Sequence, residues 1–394
     1  MRSRLIIFIT LAILLLLGIG TDAQEYHYNL HFRLTPQDFA DTISIEVDHG
    51  RIYLPVTIGG ETYRFLLDTG ASMGAVYTDS PIKGIETVGR ITSHDATGQA
   101  RPTWVVRLPA IQIGKITITD YHANQLSQPP TPSKSDGIIG FDIFNKGLLG
   151  KIDVKNQRLI LTDRKNFFRQ EPGYEARYRL RRHVPFVSLC PFGNYYEEVR
   201  FDTGDRALYT ISKHSYEQGS AEWGEELQHQ VEGQTVGSLR VSHFGTEASG
   251  EVTALCLDRL RWGDFSFRSV RTLTAYGQSS IGSAIIGYGS VIINPRRNRL
   301  VFQAYTGGWE CVIDNRLPDI YYVPDHGQPT VGLVWERSEA YRQGFRQGDV
   351  ILQIDNTAIH SFAQFRNYPF IANQTYTVTV RDKNGIIKQL KLTK

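Results

Sequence analysis

Tyr63-Arg64-Phe65-Leu66-Leu67-Asp68-Thr69-Gly70-Ala71-Ser72 sets an apolar run directly before an Asp-Thr-Gly turn, and Val199-Arg200-Phe201-Asp202-Thr203-Gly204-Asp205-Arg206 does so again. Working outward, the first copy continues to Gly137-Ile138-Ile139-Gly140, then Ile152-Asp153-Val154, a turn at Lys155-Asn156-Gln157, and Arg158-Leu159-Ile160-Leu161. The second continues to Ala284-Ile285-Ile286-Gly287, then Val291-Ile292-Ile293-Asn294, a turn around Pro295-Arg296-Arg297, and Arg299-Leu300-Val301-Phe302. Order, spacing and closing hairpin recur, which marks an internal repeat of two lobe-sized units. One Asp-Thr-Gly arises by chance in roughly one chain of this length in fifteen. Two, each behind an apolar strand and each followed by Ile-Ile-Gly, are far rarer, which weighs against two ordinary surface turns.

The pairing has a chemical meaning. Two carboxyl groups a few ångströms apart resist double ionisation, so they share a proton. The ionised member can draw a proton from water while the protonated one polarises a carbonyl, with no metal, cofactor or covalent intermediate. Titration then belongs to the pair rather than to either residue. Gly70 and Gly204 permit close approach of the two loops, and the hydroxyls of Thr69 and Thr203 can bond across a pseudo-twofold axis.

These motifs resemble aspartic proteases of the pepsin and retropepsin clan over about residues 45–305. The resemblance implies an all-β bilobal fold of two barrel-like lobes with a substrate cleft between them, and hydrolysis of peptide bonds. Asp68 and Asp202 match the catalytic aspartates and Thr69 and Thr203 the grip threonines. Ser72 matches the serine whose hydroxyl bonds the first carboxylate. The second copy reads Asp202-Thr203-Gly204-Asp205-Arg206 and lacks that serine; Asp205 and Arg206 are expected to pair locally, or Arg206 to hold a neighbouring carboxylate. A hairpin tip at the retropepsin-like flap spacing falls on Asp95-Ala96-Thr97-Gly98-Gln99, with Thr97 and Gly98 at the tip. Glu232-Gly233-Gln234 falls at a similar offset in the second lobe.

After Phe302 the composition shifts. Val331-Gly332-Leu333-Val334-Trp335, Ser338-Glu339-Ala340 and Gly348-Asp349-Val350-Ile351-Leu352-Gln353-Ile354-Asp355-Asn356 resemble a bacterial PDZ domain of α+β type over 319–394. Such domains add a peptide strand to a sheet edge and often capture a terminal carboxylate. By that resemblance Ile320, Tyr321, Tyr322 and Val323 are the candidate peptide-binding residues, their backbone amides forming the expected carboxylate loop. Asn384-Gly385 between alternating segments signals a closing hairpin, and Ser338 to Gly344 and Ser361 to Asn367 are the best helix candidates.

The expected organisation is a leader at 1–23, an extension at 24–44, a first lobe at 45–170, a second at 171–305, a linker at 306–318 and the C-terminal domain at 319–394. The leader rests on Arg2 and Arg4, the apolar run Leu5 to Ile19 and the small residues Thr21 and Ala23 before Gln24; the alternative is an uncleaved anchor helix. With cleavage, no membrane span remains and the chain lies in the periplasm or is secreted. Across 394 residues, 41% hydrophobic and 21% charged content is globular, and a net charge of +3 gives no nucleic-acid footprint. Three cysteines without a CxxC spacing exclude a zinc ribbon. Cys190 and Cys256 read either as a disulfide or as two buried thiols. The expected partners are a polypeptide substrate and peptide C-termini. The competing reading is a non-catalytic peptide-binding scaffold on the same fold.

Overall fold

The computed structural model describes residues 25–129 and 135–394. The expected leader, and Pro130 and Pro132 of the expected proline loop (128–135), lie outside the described residues. Arg51–Ile58 pairs antiparallel with Glu61–Leu67 around Gly59-Gly60, whose φ values of +60° and +89° suit a glycine turn matched to strand twist. Glu61–Leu67 runs straight into the loop carrying Asp68. Gly137–Ile139 returns parallel to it with Ile139 opposite Leu67, flanked on its other side by Ala75–Tyr77.

The second copy repeats this, but not in the register expected from sequence. Ser280–Gly282 runs parallel to Tyr195–Asp202 with Ile281 opposite Phe201, flanked by Tyr209–Ser212. The counterpart of Ile138-Ile139-Gly140 is therefore Ser280-Ile281-Gly282. A Cβ on Gly140 would lie 2.9 Å from the Ala71 carbonyl oxygen and 2.8 Å from that of Met73. One on Gly282 would lie 2.4 Å from the carbonyl oxygens of Asp205 and Ala207, the same offsets from their aspartate. Ile285-Ile286-Gly287 instead falls in the 3₁₀ turn Ser283–Gly287, where Ile285 and Ile286 enter the core. The apolar backing of the second loop thus comes partly from the next turn.

Leu149–Asp153 pairs with Arg158–Thr162, and Gly289–Asn294 with Arg299–Ala304. These closing hairpins pair with each other, Lys151 opposite Ile292, and so join the lobes in one sheet. Arg33–Thr35 pairs with Ile116–Thr119 and Ala40–Ser44 with Arg158–Thr162, so the N-terminal residues are woven into both sheets. One apolar core runs through both lobes and includes Phe65, Leu67, Phe201 and Phe302.

Residues 319–394 form a six-stranded sheet around Phe345, Ile351, Ile354, Val378 and Val380. Two short helices, Glu339–Arg342 and Phe362–Arg366, begin at Ser338 and Ser361, whose hydroxyls accept the N–H of Tyr341 and Gln364. The hairpin around Asn384-Gly385 forms. Ahead of this domain, Glu310–Val312 pairs parallel with Phe265–Ala275. The three cysteines are free thiols. Cys190 stands opposite Arg261, which shares the strand Gly250–Trp262 with Cys256. At about 3.3 Å per residue the two thiols are roughly 16 Å apart, too far for a disulfide. Among the described residues no helix is long and apolar enough to cross a membrane.

Candidate active site

The two Asp-Thr-Gly loops meet. The Thr69 N–H donates to Thr203 Oγ1 and the Thr203 N–H to Thr69 Oγ1, each at 3.0 Å. The Thr69 hydroxyl donates to the Phe201 carbonyl at 2.8 Å and the Thr203 hydroxyl to the Leu67 carbonyl at 2.7 Å. Both threonines are fully buried. Thr203→Val would keep shape but leave the Thr69 N–H and the Leu67 carbonyl unpaired. It should lower unfolding free energy by about 2–5 kcal/mol in denaturant titration; a change within about 0.5 kcal/mol would remove the interlock as a source of stability.

Gly70 and Gly204 make the close approach. A Cβ on Gly70 would lie 2.4 Å from the Asp202 carboxyl carbon, and one on Gly204 2.6 Å from that of Asp68, so no larger residue fits without moving the dyad. Each carboxyl group therefore faces the other's loop glycine, close enough for the two to interact directly. Their surroundings are unequal. Asp202 Oδ1 accepts from the N–H of Gly204 at 3.0 Å and of Asp205 at 3.2 Å, and its Oδ2 lies 3.0 Å from the Arg200 guanidinium. Asp68 Oδ1 accepts from the Gly70 N–H at 2.9 Å. Burial first, then the charge of Asp202 and the shared hydrogen bond, push Asp68 up to about 8, against the opposing pull of Arg200 and Gly70. The guanidinium and the second backbone N–H on Asp202 thus favour Asp68 as the holder of the pair's shared proton.

Strand parity explains the asymmetry. Residues two apart on a strand share a face, so Arg200 in Tyr195–Asp202 reaches Asp202 while Val199 and Phe201 enter the core. The equivalent position before Asp68 is the buried Leu66. Sequence reasoning passed over Arg200 although this parity was readable. It looked instead to Asp205 and Arg206, which do not pair: Asp205 accepts from Ser280 Oγ at 3.0 Å and faces Arg240 at 3.5 Å. Among the described residues the Ser72 hydroxyl makes no hydrogen bond to Asp68, so the carboxylate contact expected of it is absent.

Thr97 and Gly98 sit at the tip of the hairpin Glu86–His94 and Ala100–Arg107. Its turn is built on Asp95, whose Oδ1 accepts from the N–H groups of Thr97 and Gln99, each at 3.0 Å, and from the Thr97 hydroxyl at 2.7 Å. In the second lobe Glu232-Gly233-Gln234 is not a tip but part of the strand Val231–Gly237, paired with Gly250–Trp262. The tip lies further on, at the small hairpin Val241–Ser242 and Gly245–Thr246. The two tips lock together: the Phe244 N–H donates to Asp95 Oδ2 at 2.9 Å, Ala96 N–H to Ser242 Oγ at 3.1 Å, and Arg101 to the Phe244 carbonyl at 2.9 Å. Arg240, next to this tip, is the residue that faces Asp205 beside the dyad loop.

The second hairpin also rests on the C-terminal domain. The Ser238 N–H donates to the Gly332 carbonyl at 2.9 Å, Gln347 to Ser249 Oγ at 2.9 Å, and Leu333 is buried against Val252, Ala254 and Leu273. Ile320, Tyr321, Tyr322 and Val323 form most of the strand Ile320–Asp325 at one edge of that domain's sheet rather than a loop. The Tyr322 ring packs tilted against Phe365 of the helix Phe362–Arg366, 4.6 Å between ring centres.

Residues 54–143, which hold Asp68 and the first hairpin, match the family model described as aspartyl protease. Among solved structures, the chain is similar to the aspartic proteinase from Irpex lacteus, with 11% identity and a TM-score of 0.44 over 68% of this chain and 97% of that one. It is also similar to Basic 7S globulin from soybean, with 10% identity and a TM-score of 0.41 over 68% of this chain and 95% of that one. No curated protein matches the chain.

Proposed function

We propose that this chain is an aspartic endopeptidase of the cell envelope, periplasmic or secreted, with a C-terminal PDZ-like domain that recruits polypeptide. The observation that carries the reading is the close approach of Asp68 and Asp202 in unequal surroundings, one flanked by Leu66 and the other by Arg200. Asp202, ionised, takes a proton from a water molecule as the water oxygen attacks the peptide carbonyl carbon. Asp68 gives its proton to the carbonyl oxygen, yielding a gem-diol. Return of a proton from the diol through the dyad to the amide nitrogen breaks the C–N bond and releases acid and amine. The unpaired edge of Ile320–Asp325 beside Phe362–Arg366 supports peptide addition there, and the leader-like run Leu5 to Ile19 supports export.

A second reading, a peptide-binding scaffold without catalysis, draws on Arg200, which engages the outer oxygen of Asp202. Digestion of a peptide library by the full chain between pH 4 and 9, with products read by mass spectrometry, separates the two. Hydrolysis that fades as pH rises through about 8 is expected. Peptide binding without cleavage at any pH supports the scaffold. Cleavage of a folded partner that is unchanged on deletion of 319–394 removes the recruitment role.

A further inference from the structure

Position 205 breaks the symmetry of the two dyad loops. Its counterpart by offset is Ala71, whose N–H donates to the Asp68 carbonyl at 3.2 Å and, among the described residues, to no carboxyl oxygen. The Asp205 N–H is shared between the Asp202 carbonyl at 3.1 Å and Asp202 Oδ1 at 3.2 Å. Ala71 has no side chain that could fix its peptide. Asp205 has one: its Oδ1 accepts from the Ala207 N–H at 3.0 Å and its Oδ2 from Ser280 Oγ at 3.0 Å, with the Arg240 guanidinium 3.5 Å away. The Asp205 carbonyl accepts from the N–H of Ser283 at 2.7 Å and from its hydroxyl at 3.0 Å. Ser280 and Ser283 are both buried.

Arg240 brings its charge from a different element. Its backbone is fixed at the base of the second hairpin tip, the N–H donating to Glu247 Oε1 and the carbonyl accepting from the Glu247 N–H, each at 3.0 Å. Its side chain is 16% exposed, and the guanidinium also donates to Ser280 Oγ at 3.3 Å and to the Tyr276 carbonyl at 3.4 Å. The charged groups about the dyad are therefore Asp68, Arg200 on Asp202, and the pair Asp205 and Arg240. Glu247 faces Arg240 from its own hairpin, and Arg206, next to Asp205, is exposed. A third carboxylate one hydrogen bond from the dyad disfavours ionisation of the pair, and a cation on that carboxylate cancels the effect.

We infer that Arg240 is a positioning residue for the dyad: through Asp205 it steadies the second N–H donor on Asp202 Oδ1, and it neutralises the carboxylate that the second loop carries where the first has Ala71. The inference rests on the peptidase reading for the reaction it serves. Arg240 belongs to the hairpin and not to the dyad loop, so the ionised form of the pair is favoured only while that hairpin is in place. Loss of Arg240 acts twice in one direction, leaving Asp205 uncompensated and its N–H less firmly held, and both effects keep the proton on the pair to higher pH.

The test follows the dyad directly in the full chain, by NMR titration of isotope-labelled aspartate carboxyl groups assigned with Asp68→Asn and Asp202→Asn, beside the pH–rate profile on a peptide substrate. Arg240→Gln should raise the pH at which the pair first ionises by about half a unit, and Asp205→Asn should lower it by about as much. The double variant should return close to wild type, and Arg240→Lys, which keeps the charge, should stay there. Loss of packing does not give shifts of opposite sign that cancel. Shifts of the same sign in both single variants, or a double variant displaced as far as Arg240→Gln alone, overturn the role. So does Asp205→Asn that leaves the dyad unmoved, a result that needs no change at Arg240. The two measurements separate this role from the peptidase reading. Carboxyl titrations in the stated order, in a chain that cuts no peptide, keep the role and remove hydrolysis. Hydrolysis whose acid limb ignores Arg240→Gln removes the role and leaves hydrolysis standing.

Discussion

Asp68→Asn and Asp202→Asn are each expected to lower the proposed peptide hydrolysis by about 10³-fold or more, yet to move stability in opposite directions. The catalytic loss is common because the reaction needs one carboxylate and one carboxylic acid, and an amide can be neither. The stability effects differ because the two sites differ. Asp68 carries a pKa raised to about 8 from 3.8. Below the ordinary carboxyl range, folded and unfolded chains are both protonated there and the contribution to stability is fully present. As pH rises the unfolded chain ionises first, so stability falls until Asp68 itself ionises near 8. Asn cannot ionise, so Asp68→Asn escapes that loss. Its melting temperature should exceed that of wild type by a margin that grows from pH 4 to pH 8, to about 2 °C or more at neutral pH.

Asp202→Asn should do the reverse. Asp202 is the counter-charge of Arg200, whose side chain is only 14% exposed. Removing the anion leaves a largely buried guanidinium unpaired, at a cost of about 2–4 kcal/mol. Differential scanning calorimetry of the two variants at pH 5 and pH 7 checks both signs. Two variants that shift stability the same way at pH 7 would show that the dyad is symmetric and that the proton is not held on Asp68.

Much of this centre was legible in the residues. Asp-Thr-Gly behind an apolar strand names a loop whose carboxyl and hydroxyl both face the other loop and whose glycine lets the two approach, and the Gly59-Gly60 turn dictates the hairpin before it. The register of the second copy was not legible, because the pairing strand opposite Arg200 and Phe201 needs only Ser280-Ile281-Gly282, while the more apolar Ile285-Ile286-Gly287 serves the core one turn later. Resemblance of letters favoured the core segment; hydrogen bonding chose the other. The second hairpin tip was missed for a related reason. Glu232-Gly233-Gln234 carries a glycine at the right offset, but Val231–Gly237 is held as strand by Gly250–Trp262, and the chain turns only where Ser242 and Phe244 find Asp95. Arg206 was read as the partner of a carboxylate, whereas among the described residues it forms no ion pair and Asp205 is engaged instead by Arg240 from near the second hairpin tip, a property of three-dimensional assembly that spacing does not encode.

Arg200→Gln should move the whole pH–rate profile upward and cut activity most on the acid side. Arg200 forms the ion pair with Asp202 and also lowers Asp68, so its charge favours ionisation of the dyad. Without it, Asp202 keeps the two backbone N–H groups of Gly204 and Asp205 but lacks a cation. The dyad then ionises at higher pH. On the acid side the active singly ionised pair becomes scarcer and kcat/KM should fall about tenfold or more, while near pH 8 the deficit narrows. A residue with a purely structural role lowers the rate evenly across pH, so the changed shape of the profile is the diagnostic. Arg200→Lys, which keeps the charge but not the fork, should recover the position of the acid limb more fully than the rate. A profile for Arg200→Gln that keeps the wild-type limbs and merely drops in height would show that the guanidinium packs beside Asp202 without setting which carboxyl of the pair is ionised.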